Sequence, residues 1–226
     1  MKYIIIILII PLSICAQIDK IFKNENAFVK NHGQFDDRTW SDNKILYCVD
    51  YNDSYIFFTR KGISYRFDKR FRTNTNDNKQ NKYEKYHRSE FIHAEWLNTN
   101  KNMQIIAESE TNSYYSYSIK EKDNNSVKNI NHITGYKKLI YKNIYDNIDV
   151  EYIIHPVNGI KYSIILHKNA EISDLKIKYY SSINNKDKDK ASFYLDDDGN
   201  FIVNSVLSII KEYKPLSVDE NKKEID

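Results

Sequence analysis

The chain has 226 residues, 41% hydrophobic and 29% charged, with a formal net charge of +3. That length can bury a proper core in one sizeable domain or two small ones, and the hydrophobic share excludes a wholly disordered chain. Acidic and basic residues are interleaved, so nothing forms the basic arm or stripe that a nucleic-acid partner requires.

Residues 1–16 read as a leader. Met1, Lys2 and Tyr3 give a short positive start, residues 4–10 an apolar run, and residues 11–16 the break before cleavage. The run is too short to cross a bilayer as an ordinary helix. Cleavage is expected after Ala16, leaving one all-β domain over residues 17–226. The expected destination lies beyond the inner membrane: periplasm, outer surface or medium. A lipoprotein alternative would place lipid on Cys15, although Ile14 is bulkier than such signals prefer. With the leader removed, Cys48 is the one thiol left, inside the strand-like run ILYCVDY, so no disulfide framework is expected.

Further along, residues 44–51, 54–59 and 62–67 read as short strands, with turns at Asn52-Asp53 and at Arg60-Lys61-Gly62. Residues 73–90 lack periodicity and read as a long exposed loop. Strands are expected again at 91–97, 103–108 and 114–119, and polar insertions at 121–131 and 181–190. The densest β signal lies in residues 135–180, read as three or four strands. There Ile160, Tyr162, Ile164 and Leu166 alternate with Lys161 and Ser163, and Leu175, Ile177 and Tyr179 alternate with Lys176 and Lys178. Residues 169–174 fit one helical turn or a tight loop, and residues 192–196, 201–203 and 206–213 give the last strands. The expected fold is all-β, an antiparallel β-sandwich of many short strands with long polar loops. An outer-membrane barrel is disfavoured, because the strands read short and Lys137, Lys138, Glu151 and Lys161 fall within them.

Three motifs occur in order. Phe28, Asn31, Gly33, Gln34 and Phe35 form the first; Tyr136, Leu139, Tyr141, Ile144, Tyr145, Ile148 and Asp149 the second; Lys161-Tyr162 and its apolar strand the third. Gly199-Asn200 and Pro215 follow. With these the chain resembles the uncharacterised N-terminal domain of secreted proteins from gliding-type Gram-negative bacteria. That domain often precedes SBBP β-propeller-type repeats or immunoglobulin-like and PKD modules, with a gliding-motility or type IX secretion sorting domain at the end. Leu139 departs from the pattern, as do Asp146-Asn147 and residues 167–171, which replace turns containing Pro-Gly. The resemblance implies no activity, and it implies either a stand-alone domain or the first part of a longer protein.

No catalytic signature, metal motif or cofactor loop is present. Candidate ligand-binding residues are Asn31 and Gln34, whose amides flank His32-Gly33; Asp149, on the second motif and near Asp146 and Glu151; Trp96; and Tyr162. For Asn31 and Gln34 the turn chemistry favours a structural role. Asp196-Asp197-Asp198-Gly199-Asn200 has a calcium-loop look but lacks a closing Glu, and His93 with Glu95 lacks a third zinc ligand. The reading is an exported, non-catalytic envelope or surface module with a surface glycan or envelope protein as partner. The alternatives are a carbohydrate- or peptide-binding domain using exposed aromatics, tyrosines together with Trp40 and Trp96, and a secreted hydrolase using Asp149 or Glu151.

Overall fold

The structure, a computed structural model, describes residues 4–9, 26–36, 43–51, 54–74, 83–120, 126–155, 159–183 and 191–225. The Asn52-Asp53 turn, Cys15, the Ala16 cleavage point and Trp40 lie outside these residues. Twelve strands form one antiparallel sheet. In chain order they are β1 (Ile4–Ile9), β2 (Phe28–Lys30), β3 (Tyr47–Tyr51), β4 (Ser54–Thr59), β5 (Gly62–Asn74), β6 (Tyr83–Trp96), β7 (Gln104–Lys120), β8 (Val127–Tyr145), β9 (Ile148–His155), β10 (Gly159–Leu166), β11 (Ile177–Ile183) and β15 (Leu216–Val218). The remaining strands, β12 (Ser192–Leu195), β13 (Phe201–Asn204) and β14 (Ile209–Glu212), make a second, three-stranded sheet. A 3-10 turn at Ile172–Asp174 falls inside the stretch read as one helical turn or a tight loop.

The all-β expectation holds, with a curled antiparallel sheet, a half-barrel, in place of a demonstrated sandwich. Several details differ from the sequence reading: residues 127–131 of the insertion expected at 121–131 open strand β8, and residues 181–183 of the one expected at 181–190 end strand β11. Of the expected loop at 73–90, residues 73–74 and 83–90 are strand, because β5 and β6 pair from Gly62↔Glu95 out to Asn74↔Tyr83. The strands expected at 103–108 and 114–119 are one long strand, β7, from Gln104 to Lys120, with irregularities between Glu110 and Tyr114 and between Tyr115 and Tyr117. The β5–β6 arm is polar in sequence and leaves no hydrophobic alternation to read, whereas β7 brings Tyr115 and Tyr117 against the outer clusters. No helix among the described residues is long and apolar enough to cross a membrane.

Curling places the alternate residues of many strands in one core. Phe28 meets Phe58 edge-on at 5.1 Å, Phe58 meets Tyr152 at 5.4 Å, and Tyr141 meets Tyr152 at 5.2 Å. Each such side chain, fully buried, contributes roughly 1.5–3 kcal/mol by leaving water. The Tyr141 hydroxyl donates to the Thr59 carbonyl at 2.7 Å, which satisfies its polar end inside the core. Val203 and Ile210 of the small sheet enter the same core. The small sheet is also latched to β6: the Glu90 carboxylate accepts from the Ser205 hydroxyl at 2.6 Å and the Leu207 amide at 3.1 Å.

A second cluster covers the outer face, with Phe35, Ile45, Cys48, Phe57 and Phe91 buried under Tyr117. Cys48 is thus the buried small hydrophobe its strand pattern implies. The turn before β5 needs Gly62: its φ is +143°, and a Cβ there would sit 2.2 Å from the Ala94 carbonyl oxygen. The apolar run at residues 4–9 lies in the large sheet as β1, between β10 and β15.

Candidate functional site

The alternation read in residues 159–179 places the site. On β10 it turns Tyr162 and Ile164 inward, and on β11 it turns Ile177 and Tyr179 to the same side. Trp96, the last residue of β6, pairs with Ile177 and meets Tyr162 edge-on at 6.2 Å. From the small sheet, Phe201 and Glu212 stand opposite each other in register, and Phe201 packs on Tyr179 at 4.5 Å. These residues, with Tyr213 and Pro215, wall a groove of about 280 Å³ at the seam of the two sheets.

Among the described residues the acidic group lining the groove is Glu212, only 4% exposed. Its carboxylate accepts from the Tyr162 hydroxyl and, at 2.6 Å, from the Tyr179 hydroxyl. Burial pushes the Glu212 carboxyl up from its ordinary value, and the two tyrosine bonds pull it down without offsetting that. Burial first, and Glu212 second, hold Tyr162 and Tyr179 well above the usual phenol range, so both stay neutral donors. Behind them, the Trp96 indole donates to the Tyr152 hydroxyl at 2.8 Å. Next to that bond lies a void of about 10 Å³, lined by Tyr65, Tyr152 and Tyr162, where the buried Tyr65 hydroxyl has no hydrogen-bond partner. That is close to the space one water needs. The groove therefore offers aromatic faces and aliphatic walls over a recessed carboxylate whose oxygens both already accept hydrogen bonds.

Of the sequence candidates, Trp96 and Tyr162 meet here. Trp96 is 5% exposed, so it is a wall of the groove and not the solvent-facing platform expected of it. Asn31 and Gln34 lie elsewhere and are consumed by their own turn. Asn31 Oδ1 accepts from the Gly33 and Phe35 amides, its Nδ2 donates to Asp36 and to the Ile45 carbonyl, and Gln34 bridges the Lys30 carbonyl and the His32 amide.

The three neighbouring carboxylates fan out to separate partners. Asp149 accepts from the Asn143 amide at 2.6 Å and faces His167 Nε2 at 2.8 Å, clamping the irregular stretch of β8. Asp146 accepts from the Asn100 side chain, and Glu151 pairs with Lys138 at 3.3 Å. Asp196 closes a hairpin turn through the Asn200 side chain and amide and pairs with Lys211 at 3.0 Å; the Asn200 bond, before any other cause, holds its carboxyl down to about 2. His93 lies buried between the Ser64 and Ser182 hydroxyls, and Glu95 accepts from Tyr180. No cluster of metal-binding side chains occurs among the described residues. Sequence reasoning missed Glu212: within SIIKEYKP nothing sets it apart from a solvated strand residue.

Fold and site together define an all-β protein: a curled antiparallel half-barrel with a three-stranded sheet packed against it and an aromatic groove at their seam. Residues 28–226 match DUF7948, a domain of unknown function, and the chain belongs to that family. No curated protein and no solved structure matches it.

Proposed function

We propose that this chain is an exported, non-catalytic module of a cell-envelope or surface protein, and that the groove at the seam of its sheets is the surface that contacts a ligand. The groove carries this reading: a concave, aromatic-walled site with a few fixed polar groups is the make of a binding pocket. The carboxylates a hydrolase would use, Asp149 and Glu151, are tied into a strand irregularity and an ion pair. The leader pattern of residues 1–16 supports export, with a surface glycan or another envelope protein as the partner. The three motifs support a kinship with domains that precede SBBP repeats and type IX secretion signals. We read the packing of the small sheet on the large one as sandwich-like.

The test combines fractionation of a Gram-negative host with glycan and peptide arrays. The expected product begins at Gln17, lies outside the cytoplasm, and loses binding by about tenfold on Tyr213→Ala or Leu195→Asp, substitutions at exposed groove residues. An uncleaved cytoplasmic chain overturns export. Binding indifferent to both substitutions moves the contact surface away from the groove.

A further inference from the structure

Strand β1 fills a slot with a wall on each side. It runs antiparallel to β10, from Ile4 opposite Leu166 to Ile9 opposite Lys161, and antiparallel to β15, from Ile5 opposite Val218 to Ile7 opposite Leu216. The two walls are therefore parallel to each other and about 10 Å apart, two strand spacings. The family match starts at Phe28, so the domain includes both walls and leaves out the strand between them. The same residues 4–9 lie in the apolar run of the leader.

We propose that loss of the leader opens this slot and that the exported domain fills it with an extended apolar segment of another polypeptide, by strand addition. The proposal rests on the export reading above. A bare β10 edge would present the alternate backbone groups of residues 161–166 that turn away from β9, and such an edge recruits a strand. Its present occupant, IIIILI, defines the chemistry required: six or more residues, uncharged, mainly β-branched and free of proline. Tyr162 and Ile164 belong to both the slot and the groove, so an incoming strand lies along the groove wall. The far wall is held near its place, because Leu216 follows closely on Glu212, whose carboxylate is bound by Tyr162 and Tyr179.

The probe is a synthetic peptide with the sequence of residues 2–10 and a solubilising lysine tail, added to the exported chain after its mass has been read. Hydrogen exchange should find the β1-facing amides of residues 161–166 open in the exported chain and slowed by about tenfold or more with peptide. A peptide with proline at the Ile6 position should give no protection. The full chain with its leader retained should show the protection unaided and ignore the peptide. Protection in the exported chain without peptide means that β15 or residues 17–25 close the slot, and overturns the proposal. So does binding that leaves these amides open. A mass that still includes the leader overturns the export reading itself, and is known before any peptide is added.

Discussion

The strand pair β6–β11 has two faces, and they bury polar groups by opposite means. Outward, His93 is 0% exposed, its ring nitrogens bonded to Ser64 and Ser182 on the strands either side, with Tyr180 packed on it at 4.4 Å. Every one of those partners belongs to the same sheet. Inward, Tyr179 reaches across to Glu212 of the small sheet, and Trp96 reaches Tyr152 on the far side of the curl. Outer polarity stitches neighbouring strands; inner polarity holds separate layers together. The seam that binds the layers is also where the groove opens.

The largest test of that contrast is Trp96→Ala. Removing the indole from the inner core should cost about 3–5 kcal/mol in urea unfolding, since a large aromatic leaves a cavity that relaxes only in part. An effect below 1 kcal/mol would mean that the two sides of the curl are not joined through Trp96.

The next test is pH. Burial lowers His93 from 6.5 to about 4, so the folded chain prefers the neutral ring. The stability this confers is present above pH 6.5 and is lost as pH falls through 4, by about 3 kcal/mol in all. His93→Gln should flatten that stretch of the stability curve. Glu212 works in the other direction. Its folded value is raised, so the stability gained from its protonated form is present below the ordinary carboxylate value and lost as pH rises through the raised one.

Glu212→Ala should cost about 1–3 kcal/mol by leaving two buried tyrosine hydroxyls without acceptors. Hydrogen exchange should then speed up in β13 and β14 while β5 and β6 stay unchanged. Equal acceleration everywhere would erase the distinction between the two faces. The smallest effect belongs to the surface: Glu151→Ala, which frees Lys138 to keep Glu108, should change stability by less than about 1 kcal/mol.

How much of this was legible follows from where hydrophobic contrast exists. The strands β9 to β11 alternate because one face enters the core, and they announced themselves. The outer parts of β5 and β6 are polar in sequence and carry no alternation to read, while on β7 the alternation of Tyr115, Tyr117 and Ile119 with Ser116, Ser118 and Lys120 marks a strand. For the site, Trp96 and Tyr162 stood out by residue type and motif. Glu212 did not, because its role depends on a small sheet folding back over tyrosines 33 and 50 residues away in sequence. Asn31 and Gln34 were visible for what the structure makes of them, a turn whose side chains satisfy its own backbone.

Cys48 gives the domain an internal clock. It is 1% exposed beneath Phe35 and Phe57, and only two cysteines exist in the whole sequence. A thiol reagent meets it only when the outer cluster opens, so the rate of modification counts those openings without any added label. In an oxidising compartment, disulfide-linked dimers formed through Cys48 would record chains that opened before they met.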